Sequence, residues 1–209
     1  MNYLSFIAEA ESSLRHFCYS VELCVTRAEK AIDYQNTVLF NDLCQRGCKN
    51  YNQKWSCPPN SPTYSSFSQG WNNLYVIFLH TEMQSFSDIK NPYLRIKAAN
   101  TMLKSRADRF IRKLCEDGGR PISTGSCRLC KPCHYKLGEV CAHPDVMTYS
   151  YEAMGIDVDA LVFECFGKHL LWYKKGYIPE YTSVVCGYLS NQIIELNTLQ
   201  DIYLQTVDE

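Results

Sequence analysis

The 209-residue sequence lacks the features of several large classes of protein. No apolar stretch approaches the roughly 20 residues that a membrane helix needs. No dense tract of lysine and arginine is present, and the formal net charge is −1. The apolar patch near the amino terminus is too short and too acidic for a secretory signal. These features argue against nucleic acid or a membrane as a principal partner, and we expect a cytoplasmic protein.

Cysteine is the abundant exception, with twelve residues in the chain. The hydrophobic fraction of 46% and the charged fraction of 21% are those of an ordinary globular protein. A chain of this length can bury a core without covalent staples. In a reducing cytosol, clustered cysteines indicate metal binding or catalysis more often than disulfides.

Hydrophobic periodicity gives a coarse map of the first half of the chain. Residues 1–32 have helix-like spacing of apolar side chains, and residues 37–40 favour a short strand. The continuous apolar run at 74–80 predicts a buried strand. Residues from about Pro92 to Cys115 predict one amphipathic helix, which the following glycine pair ends.

The second half predicts shorter elements. We expect a short helix at 151–154, ended by Gly155, and strands at 160–166 and 183–189. The segment 196–207 is ambiguous.

This alternation of strands and helices predicts an α/β or α+β fold. We expect a single compact domain over residues 1–209, with a mixed sheet flanked by helices. Two cysteine-rich loops, at about 44–60 and 125–145, should lie on one side of this core.

The second loop carries the more specific cysteine motif. Its spacing is Cys127-x2-Cys130-x2-Cys133-x7-Cys141, and we call these residues the four-cysteine set. Three cysteines at consecutive x2 spacing are typical of bacterial ferredoxins, whose thiolates bind a cubane cluster. Cys141 can supply the fourth ligand from the same loop. A structural zinc site is the alternative, but it usually consists of two C-x2-C knuckles separated by a longer gap.

The first loop carries three cysteines, Cys44-x3-Cys48-x8-Cys57, followed by two prolines. We call these residues the three-cysteine set; their spacing matches no common zinc knuckle. Arg46, Tyr51 and Trp55 lie between them, and aromatic side chains can shield a cluster from water. The alternative is that these cysteines are core residues. A fourth ligand could be a substrate, a small thiol or one of the remaining cysteines. Those five cysteines are most simply small core side chains: Cys18, Cys24, Cys115, Cys165 and Cys186.

Four motifs resemble those of a family of small, cysteine-rich predicted metal-binding proteins of anaerobic bacteria and archaea, a domain of unknown function. They are Cys44–Cys48, Trp55–Pro59, Gly125–Cys133 and Glu152–Val158. The resemblance covers roughly residues 40–160 and implies iron–sulfur binding. One departure is visible: the family pattern places Arg-Pro-Ser before the Glu-Ala-x-Gly-Ile-Asp element, where this chain has Thr148–Tyr151.

Two carboxylates and one histidine complete the candidate site. Glu152 and Asp157 are candidate proton donors near an open cluster, although a turn or cap residue is the simpler interpretation of Asp157. His134 directly follows Cys133 and is a candidate hydrogen-bonding group around the cluster rather than a ligand.

The favoured hypothesis is a redox enzyme with two [4Fe-4S] clusters. The four-cysteine cluster would accept single electrons from a ferredoxin-like donor. The three-cysteine cluster would keep one iron open for reductive or sulfur-transfer chemistry on a small-molecule substrate. Three alternatives stay open: a non-catalytic electron carrier or cluster-delivery partner, S-adenosylmethionine cleavage, and a structural zinc protein.

Overall fold

The fold is built on a five-stranded antiparallel sheet, as seen in a computed structural model that describes residues 2–12 and 15–207. The spatial order of the strands is β1-β2-β3-β5-β4. Every neighbouring pair is antiparallel, so the fold is α+β, and the prediction of a mixed sheet is wrong in this respect. The strands are β1 (Asn2–Ser12), β2 (Arg15–Arg27), β3 (Asn73–Glu82), β4 (Arg120–Ile122) and β5 (Tyr181–Ser190).

Five α-helices and several short 3-10 turns surround the sheet. The helices are α1 (Thr37–Gly47), α2 (Tyr64–Phe67), α3 (Pro92–Leu114), α4 (Val158–Phe166) and α5 (Leu196–Val207). The 3-10 turns are Ala28–Tyr34, Met83–Phe86, Cys115–Asp117, His134–Leu137, Pro144–Val146 and Glu152–Met154. In the described part of the chain, none of these helices has the length and apolarity required to cross a bilayer.

The amino-terminal strand pair corrects the prediction of a helix over residues 1–32. Asn2 pairs with Val25 and the register continues to Ser12 and Arg15. In β2 the buried side chains Phe17, Tyr19 and Val21 occur at every second residue. This period of two places them on one face of the sheet, whereas a helix would spread them over several faces.

Two segments that were predicted as strands are helices in the structure. Residues 37–40 begin α1, where the Asn36 side chain accepts a hydrogen bond from the Leu39 amide. Residues 160–166 belong to α4, whose buried residues Val158, Leu161, Val162 and Cys165 have helical spacing. In contrast, the predicted strands at 74–80 and 183–189 and the predicted helix from Pro92 are confirmed.

Each face of the sheet has its own core. On one face α3 and α5 cover residues such as Val21, Ile77 and Tyr188. On the other face α4, α2 and the turn at 28–34 cover Val76, Phe78 and their neighbours. Both cysteine loops branch from the elements of this second face, because they connect α1 to α2 and β4 to α4.

Candidate metal centre

The backbone brings the two cysteine loops to the same place. The loop that holds the four-cysteine set is closed at its base, where the Ser123 amide donates to the Tyr149 carbonyl at 2.8 Å. At the start of α1, the Asn36 amide donates to the Gly155 carbonyl at 2.7 Å. The Asp157 amide donates to the Tyr34 carbonyl at 2.9 Å. The turn at 152–154 is therefore fixed against the helix that carries Cys44.

Direct contacts then join the loops to one another. The Lys54 ammonium donates to Ser126 Oγ at 3.1 Å and to the Cys127 carbonyl at 2.7 Å. The Cys127 amide donates to Ser56 Oγ at 3.1 Å. These bonds run from the residues just before Cys57 to the first cysteine of the four-cysteine set, so the two sets form one region of the surface.

Aromatic side chains make a second connection. Trp55 Nε1 donates to the Glu139 carbonyl at 3.0 Å, and its ring packs edge-on against Tyr135 with centroids 4.9 Å apart. The Tyr135 hydroxyl donates to the Asn52 side chain. Trp55 therefore packs across the junction of the two loops. Tyr51 contributes a backbone bond, in which its amide donates to the Cys48 carbonyl at 3.0 Å.

All twelve cysteines are free thiols, and those of the two sets differ in burial. Cys57 is buried, Cys44 is half-buried and Cys48 is exposed, whereas all members of the four-cysteine set are half-buried. Burial, followed by the thiol of Cys48, the carboxylate of Glu152 and the thiol of Cys57, raises the pKa of Cys44 to about 11. The three cysteines and Glu152 are thus electrostatic neighbours.

The electrostatics of the other thiols show the same proximity. Desolvation, followed by the thiols of Cys133, Cys127 and Cys141, raises the pKa of Cys130. Burial also raises the pKa of Cys57, with Cys48 and Cys133 adding to the shift and Ser56 and Lys54 opposing it. Cys57 and Cys133 therefore mark the place where the two sets adjoin.

The thiols are neighbours without converging on one point. Within residues 2–12 and 15–207, no group of three or more His, Cys, Asp and Glu side chains is arranged around a position for a single metal ion. Four thiolates on one zinc ion each lie about 2.3 Å from it. In a cubane cluster each thiolate binds a different iron, so the sulfurs need no such convergence. Seven soft thiols in two adjoining loops fit clusters of this kind.

The other predicted site residues differ in how closely they approach the cysteine sets. Glu152 is an electrostatic neighbour of Cys44, whereas Asp157 caps α4, with Oδ1 accepting from the Ala160 amide at 3.1 Å. Arg46 forms an ion pair with Asp42 on the exposed end of α1. His134 Nδ1 lies 2.9 Å from Glu139 Oε2, on the same turn that contacts Trp55.

The remaining five cysteines belong to the rest of the fold. Cys24, Cys165 and Cys186 are buried in the two cores, as predicted. Cys115 is half-buried at the end of α3 and donates to the Ile111 carbonyl at 3.0 Å. Cys18 is exposed on β2, so the prediction that it is a core residue is wrong.

Sequence reasoning missed the polar residues that hold this region together. Lys54, Ser56 and Ser126 make the bonds between the loops, and Lys104 on α3 lies behind the second loop. Burial, followed by the charge of Arg128, lowers the pKa of Lys104, and Glu152 opposes that shift. Each residue except Lys104 lies within three positions of a candidate ligand cysteine in the sequence, and that closeness was the available signal.

One comparison with known proteins indicates metal binding. No curated protein and no solved structure matches the chain. A family model described as "Predicted metal-binding protein (DUF2284)" matches residues 28–186, which include both cysteine sets and Glu152. The chain therefore belongs to this family of predicted metal-binding proteins.

Proposed function

We propose that the protein is a redox enzyme that holds two [4Fe-4S] clusters side by side. Cys127, Cys130, Cys133 and Cys141 would supply all four ligands of one cluster. The three-cysteine set would hold the other and leave one iron without a protein thiolate. The observation that carries the proposal is the adjacency of the sets, because Lys54 and Ser56, which lie just before Cys57, are hydrogen-bonded to the backbone of Cys127 at 2.7 and 3.1 Å.

The burial of the sets supports different roles for them. The four-cysteine set is half-exposed in a surface loop, which suits the entry of electrons. Cys57 is buried and Cys44 adjoins a carboxylate, which suits chemistry on a bound molecule. When bound, such clusters transfer single electrons, and an iron without a protein thiolate acts as a Lewis acid toward an oxygen or sulfur atom.

The chain's own residues would prepare the site in three ways. Glu152 places a proton-transferring carboxyl group beside the three-cysteine set. Trp55 and Tyr135 pack over the junction of the loops and limit the access of water. Lys54 fixes the backbone at Cys127 and places a positive charge near Cys57 and Cys130, which favours their thiolate forms.

The reaction class that fits these features is reductive cleavage of a small molecule, or insertion or removal of sulfur. A ferredoxin-like donor would supply the electrons. Asp157 is a weaker candidate than Glu152 for a proton-transferring role, because one of its carboxylate oxygens is used as a helix cap.

Anaerobic purification with iron and sulfide counts tests the proposal. Wild-type protein should contain about eight irons. Cys57→Ala, and the double substitution Cys130→Ala with Cys133→Ala, should each contain about four, because each leaves only two thiolates for one of the clusters. Cys115→Ala is the matched control, since this half-buried cysteine lies outside both sets, and it should keep about eight. An unchanged iron count in Cys57→Ala, or stoichiometric zinc in place of iron, would refute the proposal.

A further inference from the structure

Positive charge is concentrated in the two cysteine loops. Residues 44–60 and 125–145 contain six of the 21 lysines and arginines but only two of the 22 acidic residues, Glu139 and Asp145. The rest of the chain has fifteen basic residues and twenty acidic residues. The loops are therefore basic in an otherwise acidic protein.

Most of this charge faces solvent. Lys49, Arg128, Lys131 and Lys136 are all exposed. Of the two acidic residues in the loops, Glu139 is paired with His134 at 2.9 Å. The two loops together therefore have four more basic than acidic residues.

Exposed apolar side chains lie among these basic residues. Leu129 is 48% exposed, Leu137 is 56% exposed and Val140 is 82% exposed. Apolar side chains within a charged rim are typical of protein–protein interfaces. Isolated surface leucines are common, but here all three belong to the loop that carries the four-cysteine set.

Hydrogen bonds between the two loops hold these side chains on one continuous surface. Lys54 and Trp55 join the first loop to the second. The Asn50 side chain, next to Lys49, donates to Ser126 Oγ at 3.3 Å. Cys130 lies in sequence between Leu129 and Lys131 and is half-exposed, so a ligand of the four-cysteine set lies within the basic surface.

We propose that Lys49, Arg128, Lys131 and Lys136 form the docking surface for an acidic electron-carrier protein. The inference rests on the proposed function, because it assigns the donor to the four-cysteine set. In the transfer, one electron leaves the reduced carrier and the protein takes it up; no bond forms or breaks and no proton moves. Opposite charges accelerate such an encounter, and a transient electron-transfer complex needs only a small interface.

A carrier protein fits this surface better than a nucleic acid does. Nucleic acid binding relies on many phosphate contacts, or on aromatic side chains that stack with bases. Here four basic residues are mixed with exposed leucine and valine, and the aromatic side chains Trp55 and Tyr135 are half-buried against each other. The composition is that of an interface with a folded acidic partner.

Charge reversal tests the docking surface. The probe is an acidic plant-type [2Fe-2S] ferredoxin, reduced for stopped-flow measurements and oxidised for calorimetry. The test variant is the double substitution Lys131→Glu and Lys136→Glu. The matched control is the double substitution Lys174→Glu and Lys175→Glu, two exposed lysines in the segment between α4 and β5.

We expect the test variant to be reduced at least about tenfold more slowly than wild type at low ionic strength, and the control less than about twofold more slowly. Added salt should slow the wild-type reaction and remove the difference. Equal effects in the two variants, or no effect in the test variant, would overturn the proposal. Tighter binding of duplex RNA than of ferredoxin, with the same sensitivity to charge reversal, would also overturn it.

Two further readouts separate this inference from the proposed function. A small photochemical reductant can reduce the clusters without docking. The rate of this reduction should therefore be equal in wild type, the test variant and the control variant. Calorimetric binding of the oxidised ferredoxin reports docking without electron transfer. Absence of iron with retained, charge-dependent binding would refute the clusters alone. Intact reduction by the small reductant without charge-dependent binding would refute the docking surface alone.

Discussion

The sheet and the cysteine face, which consists of α1 and the two loops, are built in opposite ways. In the sheet, Glu22 is 1% exposed and accepts hydrogen bonds from Tyr3, His80 and Lys168. On the cysteine face, α1 buries none of its side chains, and Val38 is 83% exposed. The sheet also packs against a buried hydrophobic core on each of its faces. The cysteine face depends on a few hydrogen bonds and, in our account, on its clusters.

A substitution of glycine should show this difference most strongly. A Cβ atom at Gly187 on β5 would lie 2.0 Å from the Tyr151 hydroxyl oxygen. Gly47 on α1 has no heavy atom within 4 Å of the same position. We expect Gly187→Ala to lower the free energy of unfolding by about 3 kcal/mol or more, and Gly47→Ala to change it by less than about 1 kcal/mol, as measured by anaerobic urea titration.

The Tyr151 hydroxyl provides an internal check on this prediction. It is buried and has no hydrogen-bond partner among the described residues, so Tyr151→Phe alone should cost little. Combined with Gly187→Ala, it should recover part of the lost stability, because it removes the nearest clashing atom. Strictly additive effects would contradict this packing.

Acid should act on the sheet through Glu22. Burial alone would raise the pKa of this carboxyl, but hydrogen bonds from His80, Lys168 and Tyr3 lower it to about 2 from an ordinary value of 4.5. The stabilisation is thus fully present above pH 4.5 and is lost as the pH falls through about 2. Glu22→Gln should lose about 2–3 kcal/mol at neutral pH and should lack this part of the acid transition.

Glu29→Gln is the control for that measurement. Glu29 is exposed and pairs with Arg27 at 3.0 Å on the surface, so its removal should change stability by less than about 0.5 kcal/mol. If the two variants lost the same stability and kept the same acid transition, the special role of Glu22 would be wrong.

On the cysteine face, Lys54→Met should have a smaller and more local effect. The substitution keeps most of the length of the side chain but removes the ammonium group that bonds to Ser126 and Cys127. We expect a loss of about 1–2 kcal/mol, with faster amide hydrogen exchange at residues 125–130 and unchanged exchange in β3. Lys49→Met, at an exposed position in the same loop, should leave exchange unaltered. Faster exchange in β3 would mean that the two regions unfold together.

The sequence could predict those helices and strands whose hydrophobic pattern fits only one type of secondary structure. The continuous apolar run of β3 and the long amphipathic pattern of α3 were both confirmed. The amino-terminal hairpin was missed because β1 and β2 contain apolar residues at both strand and helix spacing, and only pairing with β3 selects the strand. The strand predicted at 160–166 is a helix because Asp157 caps it and Gly167 ends it.

For the candidate site, motif spacing identified the seven cysteines, but it could not show that the sets adjoin. That adjacency depends on long-range bonds such as the one from Lys54 to Cys127, between residues far apart in the chain. A resemblance of short motifs also could not reveal that Glu152 lies beside Cys44, because the turn at 152–154 reaches α1 only through tertiary contacts.

The central claim is that the three-cysteine cluster has an open iron, and low-temperature electron paramagnetic resonance of reduced protein tests it most directly. The double substitution Cys130→Ala with Cys133→Ala should retain only the three-cysteine cluster, and added cyanide should change its spectrum, because cyanide binds the iron without a protein thiolate. Cys57→Ala should retain only the four-cysteine cluster, with a spectrum that cyanide leaves unchanged. An unchanged spectrum in the double variant at Cys130 and Cys133 would contradict the account.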